Sequence, residues 1–145
     1  MFVRSIVDSK QIKQIITATP TDTVAEAVGI LARHRIGAVI VSRDGATLDG
    51  ILSERDIVRA LATIGVSCLD KQVKDLMTRE VFACKPDETA TSVLQAMTRG
   101  RFRHMPVIED GRVVGVISIG DVVKARMDEI EHENTALTEM ISNTW

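Results

Sequence analysis

The chain has 145 residues, of which 45% are hydrophobic and 26% are charged, so it has enough apolar sequence to build a core and is not a disordered chain. Its formal net charge is −2, which gives no electrostatic reason to expect nucleic acid or an anionic membrane as a partner. Aromatic residues make up only 3% of the chain, and we therefore expect an aliphatic core.

The first predicted elements follow the order strand, helix, strand, strand, helix. In chain order they are a strand at 15–17, a helix that opens at Thr23, strands at 38–41 and 48–52, and a helix that begins at Ser53. Thr23 and Glu26 have the spacing of a capping box, which marks the start of a helix. The Arg43-Asp44-Gly45 segment between the two later strands predicts a hairpin turn.

The same order of elements returns in the second half of the chain. These elements are a strand at 81–83, a helix that opens at Thr89, strands at 105–108 and 113–117, and a helix that begins at Ser118. The second hairpin turn is predicted at Glu109-Asp110-Gly111. One such unit has too little sheet and helix to close a core alone. We therefore expect an α+β fold in which two units, related by a pseudo-twofold axis, pack together.

A polar motif in each half marks the duplication. Segment 50–57 returns as 115–122, and both copies read Gly, two apolar residues, Ser, two variable residues, Asp and a β-branched residue. Upstream positions match at an offset of 66 residues, and the repeat runs from about residue 12 to residue 124. We predict that residues 1–70 form the first unit together with an N-terminal lead, that residues 71–125 form the second unit, and that residues 126–145 form a helical tail.

The Ser–Asp pair of each motif stands at the start of a predicted helix and has two interpretations. Ser53 with Asp56, and Ser118 with Asp121, have the spacing of helix caps, which stabilise a helix by about 1 kcal/mol. A carboxylate in this position is also able to accept hydrogen bonds from both hydroxyls of a ribose, and the helix start favours a nearby phosphate. The sequence alone leaves both interpretations open.

The whole pattern resembles a tandem pair of CBS domains, the Bateman module. The resemblance covers nearly the whole chain and rests on the paired motifs, on the Met-Pro-Val-Ile strand at 105–108, and on the Val-Lys-Asp-Leu-Met-Thr segment at 73–78. It implies two CBS repeats of the order β-α-β-β-α. It also implies a regulatory module that binds adenine nucleotides such as AMP, ADP or ATP, sometimes NAD or S-adenosylmethionine, in clefts between the repeats. The short chain resembles the free-standing members of the family.

The resemblance also assigns roles to residues. In the family the Asp of the motif contacts the ribose and the Ser lies near the ribose and phosphate, which implies these roles for Asp56 and Asp121, and for Ser53 and Ser118. The other residues predicted to contact the ligand flank these motifs and the second strand of each unit: Arg55, Ile36, Gly37, Arg103, His104 and Ile117.

The two copies differ at charged positions beside the clefts. Arg55 corresponds to Gly120, and the Arg103-His104 pair corresponds to Gly37-Ala38. Basic groups beside a nucleotide would neutralise phosphate, whereas glycine would let the backbone approach closely. We therefore predict that the two clefts differ in affinity or in phosphate preference. The alternative for the basic run at 99–104 is an ordinary solvated face.

The tail continues as a helix with apolar residues at alternating steps of four and three. The stripe consists of Val123, Met127, Ile130, Asn134, Leu137 and Ile141. It is short for an independent coiled coil, so we expect it to pack on a partner subunit or on its own domain. The family often forms flat homodimers, and the resemblance therefore implies a homodimer that involves this tail.

The sequence contains no recognisable catalytic or metal site. The three His and two Cys residues are scattered, no glycine-rich phosphate loop is present, and Cys68 and Cys84 have no partners at zinc-ligand spacing. No export signal or membrane span is visible, and reduced cysteines fit the cytoplasm.

We therefore expect a ligand-sensing module without a catalytic cofactor, in which an adenine nucleotide acts as the regulatory ligand and an unknown effector protein reads out its state. One alternative is a structural adapter with empty clefts. A third hypothesis is nucleotide hydrolysis, which needs a base or a metal site that the sequence does not supply.

Overall fold

The computed structural model describes residues 1–10 and 15–144, with the backbone alone at residue 144. The predicted start of the first repeat near residue 12 and the last tail residue lie outside these ranges. Helices are α1 (Val3–Ser9), α2 (Val24–His34), α3 (Glu54–Ile64), α4 (Val73–Leu76), α5 (Ala90–Gly100) and α6 (Ile119–Thr144), and a 3-10 helix spans Gly65–Asp70. Strands are β1 (Thr17–Ala18), β2 (Ala38–Val41), β3 (Gly50–Ser53), β4 (His104–Glu109) and β5 (Arg112–Ser118).

The first unit has a three-stranded sheet and the second unit a two-stranded sheet. In the first unit β1 pairs parallel to β2, and β2 pairs antiparallel to β3. In the second unit β4 and β5 form an antiparallel hairpin whose two-residue turn, Asp110-Gly111, has positive φ at both positions, as the sequence predicted. The mixed α+β fold with two repeats is thereby confirmed.

The leading strands are shorter than the sequence predicted. β1 starts at Thr17 rather than at residue 15, and residues 81–83 form no strand. A single parallel bridge from Cys84 to Val107 takes the place of the second leading strand. Cys84 and Val107 are each 66 positions after Ala18 and Val41, which form the equivalent pair in the first unit. The topology is therefore retained with fewer hydrogen bonds.

Each unit has its own aliphatic core. Leu52 and Val41 lie in the first core, and Met97, Val107 and Ile117 lie in the second. Strand alternation sets the burial, because in β3 and β5 every second residue faces the core and the others face the opposite side.

The segment that precedes each unit packs on the other unit. We call residues 1–10 and 73–78 the crossing segments. Helix α1 precedes the first unit in sequence, yet its residues Val3 and Ile6 lie in the second core. Helix α4 precedes the second unit, yet Val73 lies in the first core. The Val3 amide donates to the Glu88 carbonyl at 2.9 Å, and the Val73 amide donates to the Asp22 carbonyl at 2.8 Å. The boundaries at 70 and 71 remain a prediction about sequence repeats, since packing contacts run across them.

The glycine that opens each motif leaves room for the crossing segment. A Cβ atom on Gly50 would lie 2.8 Å from the Met77 Sδ atom and 2.8 Å from the Thr78 carbonyl oxygen. A Cβ atom on Gly115 would lie 3.1 Å from Val7 Cγ1. These two close approaches hold the crossing segments against β3 and β5.

The tail is a continuous part of α6, which confirms the predicted helix. Its last buried residue is Ala125, and all described side chains from 131 to 143 are exposed. The distal tail therefore does not pack on its own domain, which was one of the two expectations. Among the described residues, no helix combines the length and apolar character needed to cross a membrane.

Candidate functional site

Each polar motif lies where a central strand turns into a helix. In β3, Leu52 points into the core, so that Ile51 and Ser53 point to the opposite side and line a cleft. The Asp56 amide donates to Ser53 Oγ at 3.3 Å, and the Ser53 amide donates to the Asp56 carboxylate at 2.9 Å. The helix-cap interpretation is therefore correct for this pair, and the cap also fixes the carboxylate at the cleft wall.

Cleft one has a volume of about 570 Å³ and contains the first motif. Asp56 Oδ2 accepts hydrogen bonds from the Ser53 amide and from its hydroxyl, the latter at 3.0 Å. Asp56 Oδ1 has a longer contact of 3.4 Å with the Thr78 hydroxyl, which comes from the crossing segment. One oxygen thus holds the cap while the other is oriented by a neutral hydroxyl.

The walls of cleft one carry four arginines, the three acidic residues Glu54, Asp56 and Glu80, and an aromatic pair. Its four arginines are Arg55, Arg59, Arg101 and Arg103. The Arg55 guanidinium donates to the Arg101 carbonyl at 3.1 Å, which ties the start of α3 to the end of α5 across the two units. Phe82 stacks on Phe102 with ring centroids 5.2 Å apart. The corresponding positions of cleft two, 66 residues earlier, are isoleucines at 16 and 36.

Cleft two has a volume of about 420 Å³ and contains the second motif. The Ser118 amide donates to Asp121 Oδ2 at 2.8 Å, and the Asp121 amide donates to Ser118 Oγ at 3.1 Å. The cap geometry therefore repeats that of cleft one. The difference is Lys10, whose Nζ atom lies 3.0 Å from Asp121 Oδ2 and donates to the Val116 carbonyl at 2.7 Å.

The ionisation of Asp121 reflects these contacts. Burial acts to raise its pKa, but hydrogen bonds from Ser118 and the nearby Lys10 ammonium outweigh burial and hold the pKa below its ordinary value. The carboxylate is therefore charged at neutral pH and carries a built-in counter-ion.

Gly37 and His104 line both clefts and form the wall between them. A Cβ atom on Gly37 would lie 3.2 Å from His104 Cε1, so the glycine lets the imidazole approach the backbone. Burial lowers the pKa of His104, and the opposing effect of the Glu54 carboxylate does not restore it. The imidazole is therefore neutral at pH 7.

The structure brings together most of the residues predicted to bind a ligand. Cleft one collects Ser53, Arg55, Asp56, Gly37, Arg103 and His104, and cleft two collects Ile36, Gly37, His104, Ser118 and Asp121. Ile117 is placed elsewhere, because it is fully buried in the second core. The residue just before the motif Ser faces away from the cleft in a pleated strand, and Val116 lines the cleft instead.

Sequence reasoning missed three contributions to the clefts: Lys10, Thr78 and the Phe82–Phe102 pair. Lys10 lies in the N-terminal lead, Thr78 in the segment 73–78 that carried the family resemblance, and Phe82 in the predicted strand at 81–83. The signal was present in part, since Val3 and Ile6 of the N-terminal lead match Val73 and Leu76 at an offset of 70 residues.

Solved structures resemble this fold closely. A CBS-domain containing protein from Agrobacterium tumefaciens is 43% identical, with a TM-score of 0.82 over 87% of this chain and 99% of that chain. The CBS domain pair of protein MJ0100, solved in complex with 5′-methylthioadenosine and S-adenosyl-L-methionine, is 29% identical with a TM-score of 0.76 over 89% of this chain and 98% of that chain. A CBS domain protein from Pyrobaculum aerophilum complexed with AMP is 25% identical with a TM-score of 0.73 over 83% and 89% of the two chains.

Sequence relatives indicate the same family. The mitochondrial CBS domain-containing protein CBSX3 of Arabidopsis thaliana is 38% identical over 127 residues, which cover 85% of this chain and 62% of that protein. This chain thus spans less than two thirds of the relative's length. The family model for the CBS domain matches residues 3–63 and 73–128. With both repeats matched and the fold shared, the chain belongs to the CBS domain family.

Proposed function

We propose that the protein is a regulatory module that binds adenine nucleotides in the clefts between its two repeats and passes the bound state to a partner. The observation that carries this proposal is the position of Asp56. Its carboxylate is fixed by the cap of α3 at the wall of a cleft about 570 Å³ in volume, with one oxygen directed away from the cap. A carboxylate held in this way is suited to accept hydrogen bonds from a ribose diol.

The solved neighbours support an adenosine-type ligand. The MJ0100 pair was solved with 5′-methylthioadenosine and S-adenosyl-L-methionine, and the Pyrobaculum protein with AMP. These ligands share an adenine and a ribose and differ in the group at the 5′ position. The shared part matches the repeated Ser–Asp pair, and the variable part would face the residues that differ between the clefts.

The arginines are concentrated in cleft one, which favours a ligand with phosphate at that cleft. Cleft one is lined by Arg55, Arg59, Arg101 and Arg103 beside the start of α3, and guanidinium groups bind phosphate oxygens strongly. Cleft two has an aliphatic wall that includes Ile16 and Ile36, and among the described residues its two cations are Arg35 and Lys10, the latter paired with Asp121. We propose that cleft one is the site for a ligand with one or more phosphates.

Calorimetric titration with AMP, ATP and adenosine tests this proposal. We expect AMP and ATP to bind more tightly than adenosine, and we expect Arg55→Ala together with Arg103→Ala to reduce this advantage by about tenfold while adenosine binding stays unchanged. Lys71→Ala, which removes an exposed cation outside both clefts, is the matched control. Absence of binding for all three compounds would favour the structural adapter, whose clefts stay empty.

We also propose that a second copy of the chain covers the exposed apolar residues of α3 and α6, which we call the apolar face. This face contains the exposed residues Val58, Leu61 and Ile64 on α3, and Val123 and Met127 on α6. Val58 and Val123 occupy equivalent positions in the two repeats. A twofold pairing would therefore bury matching surfaces from both units.

Light scattering tests the dimer. We expect the wild-type chain to run as a dimer and the Val58→Asp plus Met127→Asp variant to run as a monomer with its ligand clefts intact. A wild-type monomer at micromolar concentration would refute the proposal. The effector protein and the cytoplasmic compartment stay predictions, and the Arabidopsis relative is named as a mitochondrial protein.

A further inference from the structure

We propose that Lys10 determines which cleft accepts a nucleoside. Its ammonium group pairs with Asp121 in cleft two, so that a ribose diol binds there only by displacing the lysine, whereas Asp56 in cleft one is available. This inference rests on the proposed function, because it takes the two aspartates as the ribose-binding groups.

The contacts of Lys10 place it inside the site. Its Nζ atom lies 3.0 Å from Asp121 Oδ2 and 2.7 Å from the Val116 carbonyl oxygen. Val116 and Asp121 both line cleft two. The Lys10 and Asp121 side chains are 31% and 28% exposed, so water screens this pair less than it screens a pair on the open surface.

Lys10 reaches the cleft from a fixed base. Val3 and Ile6 anchor α1 in the second core, and Val7 packs against Gly115 at the start of the motif. The Lys10 amide then donates to the Val7 carbonyl at 3.3 Å and ends the helix. Because the helix is anchored one turn before the lysine, its side chain is presented to Asp121 rather than free to sample solvent.

In cleft one the position equivalent to Lys10 is Glu80, an acid that gives Asp56 no counter-ion. The crossing segment there continues from Met77, the counterpart of Val7, into Thr78, whose hydroxyl lies 3.4 Å from Asp56 Oδ1. Across residues 1–10 and 15–144, no lysine or arginine forms an ion pair with Asp56. A neutral hydroxyl is exchanged for a ribose hydroxyl at little cost, whereas an ammonium group must be separated from its carboxylate.

The consequence is a difference between clefts in nucleoside affinity that does not depend on phosphate. Removal of the lysine charge should therefore strengthen binding in cleft two. A lysine with a merely structural role, or one that binds the ligand directly, would give the opposite result, because its removal would weaken binding. The sign of the change distinguishes these roles.

The test uses adenosine, an uncharged probe, in an Asp56→Ala background that disables cleft one. We expect Asp56→Ala/Lys10→Met to bind adenosine about fivefold to tenfold more tightly than Asp56→Ala alone. Lys10→Gln in the same background should give the same gain, and Lys10→Arg, which keeps the ion pair, should give none. Lys71→Met controls for the loss of an exposed lysine.

Unchanged or weaker adenosine binding in both neutral Lys10 variants, with thermal unfolding that shows them folded, would overturn the inference. The wild-type chain separates this failure from that of the proposed function. Adenosine binding that is present in the wild-type chain and reduced by Asp56→Ala keeps the proposed function in place whatever Lys10 does. If the wild-type chain binds no adenosine, AMP or ATP, the proposed function fails and the role of Lys10 fails with it.

Discussion

Replacement of Asp56 by asparagine separates the two roles of this carboxylate. In the folded chain Asp56 Oδ2 accepts hydrogen bonds from the Ser53 amide at 2.9 Å and from the Ser53 hydroxyl at 3.0 Å. Asparagine keeps one acceptor oxygen, so the cap should lose less than about 1 kcal/mol of stability. The binding of a ribose diol should lose more free energy than the cap does. Hydrogen bonds to a charged acceptor contribute about 1.5–3 kcal/mol, and hydrogen bonds to a neutral acceptor contribute about 0.5–1.5 kcal/mol.

Two such bonds correspond to a loss of about 2 kcal/mol, or a roughly thirtyfold weaker affinity for AMP. Calorimetry gives the affinity, and urea unfolding gives the stability of the same sample. Asp121→Asn makes the same change at the cap of α6 and should leave the affinity of cleft one within about twofold of wild type. If Asp56→Asn binds AMP within threefold of wild type, the Asp56 carboxylate is a helix cap and not a ribose ligand.

Two further predictions concern stability. Gly50→Ala should lower the free energy of unfolding by about 1–3 kcal/mol, because its Cβ atom would lie 2.8 Å from both the Met77 sulfur and the Thr78 carbonyl oxygen. Gly29→Ala is the control, because its Cβ atom would lie 3.8 Å from the Arg33 guanidinium. Equal effects of the two variants in urea unfolding would contradict the crossing-segment packing. Burial lowers the pKa of His104 below its ordinary 6.5, so the unfolded chain binds more protons than the folded one as the pH falls through about 6.5, and the free energy of unfolding should decrease over that window. His104→Gln should flatten this pH dependence, and an unchanged slope would show that His104 does not cause it.

The repeat and its motif allowed much of the fold to be predicted from sequence. Glycine-containing turns, β-branched runs and the caps at Thr23 and Thr89 are local signals, and local hydrogen bonds realise them: Thr23 Oγ1 accepts from the Glu26 amide at 3.1 Å, and Thr89 Oγ1 accepts from the Ser92 amide at 3.1 Å. These features follow from residues close together in the chain.

Features that depend on distant parts of the chain were not predicted. The crossing of α1 and α4 is set by where Val3 and Val73 find buried surface, which no local pattern specifies. The ion pair of Lys10 with Asp121 joins residues 111 positions apart. Ile117 was misplaced for a simpler reason, since the prediction took the residue before Ser118 as cleft lining without applying strand alternation.

The proposed ligand sites and the proposed dimer face lie on the same two helices. Asp56 is in the first turn of α3 and Val58 follows it, and Asp121 is in the first turn of α6 two residues before Val123. A ligand that changes the position of either helix start would therefore also change the apolar face beyond it.

Binding transmits a signal through such an arrangement only if the ligand has different affinities for two states of the assembly. By linkage, saturating nucleotide must then change the dimer dissociation constant by the product of the factors by which dimerisation changes the nucleotide affinity of the two protomers. A sensor shows this reciprocal dependence. A module whose clefts bind nucleotide without consequence shows a dimer dissociation constant that is the same with and without AMP, however tightly AMP binds.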